Sequence, residues 1–227
     1  MLKNLINLLF PRLCKACEAL LLQQENQICA VCRHQLPLTK HHLNVNNETM
    51  KKFYGCIPLE FACSMLYFQK EGMVQQLIHA LKYKNQQEIG TVLGNWYAPE
   101  IENLVKIHNI THIIPVPLHK KRFKSRGYNQ ITTFCLALSQ SLQIAFLEDF
   151  LLRIQYSDTQ TKKNSEARAG ITEELFAITQ NSTLENPHFL LVDDVITSGA
   201  TLIACSKVLL KIPNAKISIV TIAYSAS

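Results

Sequence analysis

His188-Phe-Leu-Leu-Val-Asp193-Asp194-Val-Ile-Thr197-Ser198-Gly199-Ala200-Thr201 is the stretch whose reading decides the fold. Its apolar opening, residues 188–192, predicts a buried strand; residues 201–210 predict a helix and residues 216–223 another strand. This βαβ order predicts an α/β fold, a mostly parallel sheet flanked by helices on both faces. In such sheets ligands bind beyond the carboxyl ends of the strands, which is where Asp193 and Asp194 fall. Two adjacent carboxylates can accept hydrogen bonds from two ribose hydroxyls, and they suit a sugar that carries its own magnesium. Gly199 lets the backbone approach closely, the first N–H groups of the helix favour a phosphate dianion, and Thr197, Ser198 and Thr201 add hydroxyl donors around Ala200. The plainer alternative is a strand followed by a capped helix. A cap needs one such residue, whereas two acids and three hydroxyls stand here around a glycine. The stretch reads as a site for a sugar phosphate.

Working outward, residues 62–69 predict a strand and residues 73–83 a helix, with Met73, Leu77, Ile78 and Leu81 at helical spacing. Residues 92–107 and 129–142 predict further helices, and residues 111–116 a short β-branched strand that runs into a loop at Pro115 and Pro117. That loop carries Lys120, Lys121, Arg122, Lys124 and Arg126 with no acid among them. A pyrophosphate, a nucleic-acid backbone or plain solvent would each answer such a charge run. Residues 153–170 form a long polar segment with Lys162, Lys163 and Arg168, of the kind that is functional or mobile inside a compact domain.

Four of the eight cysteines fall as Cys14-x-x-Cys17 and Cys29-x-x-Cys32 with eleven residues between. That spacing predicts a tetrahedral, four-thiolate structural zinc site with no position open to a catalytic water; a redox pair or buried thiols are the alternatives. The segment is too short for a core of its own, so metal binding would supply much of its folding free energy. His34, His41 and His42 read as exposed loop residues, and Cys56, Cys63, Cys135 and Cys205 as packing thiols. Residues 37–52, polar and aperiodic, read as a linker. The expected organisation is a zinc module with linker over residues 1–50 and one α/β domain over residues 51–227.

The 227 residues allow one substantial domain and a small module, and exclude two full catalytic domains. With 48% hydrophobic and 18% charged residues the composition is that of a globular chain, not of a disordered or membrane-inserted one. The first 13 residues are interrupted by Asn4, Asn7 and Pro11 and followed by no small-residue cleavage site, so no secretion signal is expected and a reducing, cytoplasmic setting is.

The acid-pair stretch resembles the phosphoribosyl pyrophosphate (PRPP) motif of type I phosphoribosyltransferases. Ile114-Pro-Val-Pro-Leu-His119, Arg126-Gly-Tyr-Asn-Gln130 and Leu77-Ile-His-Ala-Leu-Lys82-Tyr83-Lys84, with Arg153, Thr159-Gln160 and Arg168, resemble the signatures of the ComF/GntX family over nearly the whole chain. That resemblance implies a type I phosphoribosyltransferase fold behind an N-terminal zinc ribbon. It implies Asp193 and Asp194 on the ribose, Thr197, Ser198, Gly199, Ala200 and Thr201 on the 5-phosphate, and Lys120, Lys121, Arg122 and Arg126 as contacts of the pyrophosphate. Residues 153–170 would be the loop that closes over the reacting centre. Magnesium would accompany PRPP, and one zinc is expected, since no second pair of CxxC knuckles follows Leu36. If the chain is an enzyme, a nucleophile would displace pyrophosphate from C1 of PRPP. The alternative is a competence factor that binds PRPP without transfer, with single-stranded DNA and other competence proteins as partners; Phe123 and Tyr128 would be its stacking residues. A purine-pathway amidotransferase is disfavoured, because the chain has no room for a glutaminase domain.

Overall fold

The structure is a computed structural model and describes residues 11–154, 175–179 and 184–226. Its centre is β6 (His188–Ile196), longer than its apolar run because the strand continues through the acid pair. It is flanked by β7 (Lys216–Tyr224) and β2 (His112–Pro115), with β1 (Ala62–Tyr67) and β3 (Ala145–Phe146) outside them, in the order β1-β7-β6-β2-β3 with every pair parallel. The expected mostly parallel sheet flanked by helices is therefore the one observed. The short antiparallel pair β4 (Leu151–Arg153) and β5 (Phe176–Ile178) stands apart from it.

Alternation along β6 divides the core. Leu190 and Val192 face α3 (Met73–Tyr83), α4 (Glu88–Ile107) and α6 (Thr132–Leu142), whereas Phe189 and Leu191 face α7 (Ala200–Leu209). The period of two then sends Asp194 toward the first face and Asp193 toward the second. Helices α4 and α6 approach closely because Gly90 and Gly94 have no side chain there: a Cβ on Gly94 would lie 2.6 Å from the Cβ of Ala137 and 2.8 Å from the Phe134 carbonyl oxygen.

Residues 37–52 are not a linker. Leu38 bridges to Leu66 of β1, and Asn47 caps α2 (Glu48–Lys51) by accepting from the Met50 N–H at 2.9 Å. The two N–H groups of the Asn47 amide are shared among the carbonyls of Ala62, Asn44 and His41, at 2.8, 2.8 and 3.2 Å. His41, expected to be exposed, is buried. Its Nδ1 meets Thr49 Oγ1 at 2.9 Å, Thr49 meets Ser64 Oγ at 2.7 Å, and Ser64 meets Thr221 Oγ1 of β7 at 2.6 Å. Composition misled here because polar residues that satisfy one another can line a buried seam as well as a solvated loop. The seam reaches the centre of the sheet, since Thr221 is the register partner of Asp193.

The basic run is also not a loop. Residues Lys120–Arg126 form a helix, α5, capped by the His119 ring and ended by Gly127 in the left-handed conformation at φ 80°. Lys and Arg are good helix formers, and charge alone gave no reason to expect otherwise. Among the described residues no helix is long and apolar enough to cross a membrane.

Candidate functional site

A cleft of about 470 Å³ opens beyond the carboxyl ends of β2 and β6. Its floor holds Asp193 and Asp194, one wall carries Thr197 and Thr201, the opposite wall is Lys82 and His79 of α3, and Arg122 and Arg153 stand at the basic side. The turn from β6 into α7 depends on Gly199. It takes φ 80°, a region β-carbon-bearing residues rarely adopt, and a Cβ there would lie 3.3 Å from the Phe53 ring. Phe53, just past the segment read as a linker, thus packs against this turn. Gly199 precedes the first turn of α7, leaving the helix's opening N–H groups without intrahelical acceptors.

The two acids differ in kind. Asp194 is buried, with Lys82 Nζ 2.9 Å from Oδ1 and the Gln130 amide donating to Oδ2. Among the described residues no side-chain cation stands at ion-pair distance from Asp193. Withdrawal from water and then the neighbouring Asp194 charge push its carboxyl up to about 8, against the opposing pull of the Asp194 N–H and Lys82. A group that must give up its proton to meet a cation, at near-neutral pH, stands at the cleft floor.

Of the four basic residues expected at a pyrophosphate, only Arg122 lines the cleft. Lys120 lines a neighbouring groove under β4, Lys121 lines neither, and Arg126 Nη1 donates to Gln130 Oε1 at 2.5 Å while its guanidinium lies over the Tyr83 ring at 4.8 Å. A helix sends the successive side chains of residues 120–122 in different directions, and Arg126, on the same face as Arg122, is engaged by Gln130 and Tyr83. Tyr128 spends its hydroxyl on the Leu81 carbonyl at 2.8 Å, and Phe123 is exposed. The segment expected to close over the site lies outside the described residues from position 155 to 170.

Sequence reasoning left Lys82 and Gln130 without a role. Gln75, Ile78, His79 and Lys82 all line the cleft at spacings of three and four along α3, so the signal was there in the polar flank of an amphipathic helix.

The Sγ atoms of Cys14, Cys17, Cys29 and Cys32 all lie within 4.8 Å of one another. The Cys17–Cys29 pair is 3.8 Å apart, close to the edge of a tetrahedron built on zinc–sulfur bonds of about 2.3 Å. The Cys29 N–H donates to Cys14 Sγ at 3.3 Å and the Cys32 N–H to Cys29 Sγ at 3.4 Å, so backbone donors already face two of the sulfurs. At Cys14 burial raises the thiol, but N–H donors led by that of Cys29 outweigh it and bring it down to about 7. The four cysteines are positioned to bind a metal ion, and a soft tetrahedral donor set fits zinc. The module is not free-standing: Cys14, Ile28, Cys29, Cys32 and Leu36 belong to the same core as Met65 and Leu77, and Arg33 lies 5.1 Å over the ring of Trp96. Of the other thiols, Cys63, Cys135 and Cys205 are buried as expected, but Cys56 is exposed.

No family model matches the chain. It is 33% identical over 141 residues to competence protein F of Haemophilus influenzae, covering 60% of this chain and 61% of that one, less than two thirds of the relative's length. It is 24% identical over 216 residues to the DNA utilization protein YhgH of Escherichia coli K12, covering 88% and 92% of the two chains, and 24% identical over 205 residues to competence protein ComFC of Bacillus subtilis, covering 84% and 81%. The chain is thus similar to proteins named for competence and for DNA utilization. Among solved structures, a hypoxanthine-guanine phosphoribosyltransferase of Leishmania donovani matches with 15% identity and TM-score 0.39 over 60% of this chain and 71% of its own. An adenine phosphoribosyltransferase of Saccharomyces cerevisiae matches with 17% identity and TM-score 0.34 over 67% and 68%. Superpositions this loose add nothing to the strand order and the acid pair, on which the architecture of this chain stands.

Proposed function

We propose that this chain binds PRPP with magnesium in the cleft at the end of β6, and serves in the cytoplasm in the handling of DNA during natural competence. The observation that carries the reading is the acid pair joined through Gly199 to the start of α7, which sets sugar-hydroxyl acceptors and phosphate-binding N–H groups in one cleft. Asp193 and Asp194 would take the ribose, Thr197 to Thr201 the 5-phosphate, and Arg122, with Lys120 and Lys121 nearby, the pyrophosphate. The hard oxygens of Asp193 suit magnesium, which when bound would neutralise the pyrophosphate as it leaves C1. The chain's own part is to orient the ribose against Asp193 and Asp194 and to hold positive charge at the basic side. Zinc at the four cysteines would be structural. DNA and other competence proteins would be its partners, in keeping with the names of its relatives.

The second reading is PRPP binding without transfer, as a signal to a protein that handles single-stranded DNA. The relatives' names, which concern competence and DNA utilization, do not favour it over the first. Calorimetric titration of the zinc-loaded chain with PRPP and magnesium, beside a variant carrying Asp193→Ala and Asp194→Ala, tests both. Binding lost in the variant supports the site; no binding by either chain removes PRPP from the account. Pyrophosphate release in the presence of candidate acceptors then separates transfer from binding alone.

A further inference from the structure

Asp194 is the most fully engaged polar group in the cleft. Lys82 occupies Oδ1 at 2.9 Å and Gln130 occupies Oδ2, while the carboxylate is only 5% exposed. Gln130 is itself held: its Oε1 accepts from Arg126 Nη1 at 2.5 Å, and Arg126 is held over Tyr83 at 4.8 Å. Tyr83 is the neighbour of Lys82 at the end of α3, and Tyr128 fastens the same turn by donating to the Leu81 carbonyl at 2.8 Å. The chain Lys82, Asp194, Gln130, Arg126, Tyr83 thus closes on itself and ties the end of α3 to the end of β6. A carboxylate so fixed has two of its about four lone-pair sites already filled, whereas among the described residues no side-chain cation stands at ion-pair distance from Asp193.

We propose that Lys82 is the resident cation of the acid pair, standing at Asp194 where a divalent ion would otherwise sit, and that Gln130 and Arg126 are positioning residues that hold Asp194 for it. This deepens the PRPP reading. With Lys82 in place Asp194 is compensated yet keeps lone pairs for a ribose hydroxyl, so Asp193, once ionised, is the carboxylate left for magnesium, and the site needs one magnesium, not one for each acid. Arg126 is then committed to Asp194 through Gln130, and the pyrophosphate falls to Arg122.

The test uses manganese alone, followed by electron paramagnetic resonance, on the zinc-loaded full chain at pH 9, where Asp193 is ionised. Wild type is expected to bind manganese weakly. Lys82→Gln exposes two uncompensated carboxylates and is expected to bind it at least tenfold more tightly; Lys82→Arg, which keeps the charge, is expected to stay at the wild-type level, as is the double variant Lys82→Gln, Asp194→Asn. No gain in Lys82→Gln, or an equal gain in Lys82→Arg, overturns the proposal. If Lys82→Gln loses its fold by circular dichroism, the double variant must recover it, since both members of the pair are then neutral; failure to recover equally overturns the proposal. Neither PRPP nor turnover enters the measurement, so a chain that bound no PRPP would sink the functional reading and leave this result standing.

Discussion

Asp193→Asn removes a carboxyl that the fold holds protonated and puts an isosteric neutral group in its place. The carboxyl is raised from 3.8 to about 8 by withdrawal from water and by the Asp194 charge. For an acid raised in the folded state the native protein binds the extra proton, so the stability it contributes is present below about pH 4 and is lost as pH rises toward 8. Over that window wild type falls relative to the neutral variant by up to about 1.4 kcal/mol per pH unit. Asp193 keeps some contact with water, so a total of about 1–3 kcal/mol by pH 8 is the sounder expectation. For a chain of this length about 1 kcal/mol moves the melting temperature by roughly 2–4 °C. Thermal unfolding of zinc-loaded wild type and Asp193→Asn between pH 6 and pH 9 should therefore show the variant more stable, with a gap that widens to about pH 8 and then stays level. A gap that is constant or closes with rising pH would refute the assignment of Asp193 as an acid whose carboxyl the fold raises.

The cysteine cluster shares a core with β1 and α3, so stripping its metal with a chelator, or Cys32→Ser, should lower the melting temperature of the whole chain in one transition; an unchanged transition would mean that the cluster holds no structural metal. Gly94→Ala forces a methyl to 2.6 Å from Ala137, and even after the better helix propensity of alanine should cost about 1–2 kcal/mol by urea unfolding; a stabilised variant would show that α4 and α6 can part freely. Asn47→Ala removes a cap and the amide N–H groups that three backbone carbonyls share, and should cost about 2–3 kcal/mol by the same assay, an outcome that a true linker residue would not give.

The elements best legible in the sequence were those whose pattern is local. Residues 73–83 form the predicted helix to the residue, and the strands expected at 188–192 and 216–223 are present, each extended at its carboxyl end. The boundaries that moved did so for identifiable reasons: α4 starts four residues early at Glu88, because its first turn packs Ile89 into the core. The basic run became a helix whose side chains diverge, leaving Arg122 alone in the cleft. Lys82 was visible only as the last-turn basic residue of an amphipathic helix, and nothing local connected it to Asp194, 112 positions away.

By itself the sequence determined the parallel α/β class, the acid pair with its glycine turn, and the four-cysteine knuckles, because each is set by residues that are neighbours along the chain and whose geometry follows from periodicity, a single positive φ or thiol spacing. Only the tertiary structure decided which carboxylate is compensated and which is raised, that Arg126 pairs with Gln130 rather than lining the cleft, and that residues 37–52 run a buried polar seam to β7, with Phe53 just beyond them against the Gly199 turn. Those are questions of desolvation and pairing across the fold, and the free energy of a buried charge or hydroxyl depends on what the rest of the chain brings within about 3 Å of it.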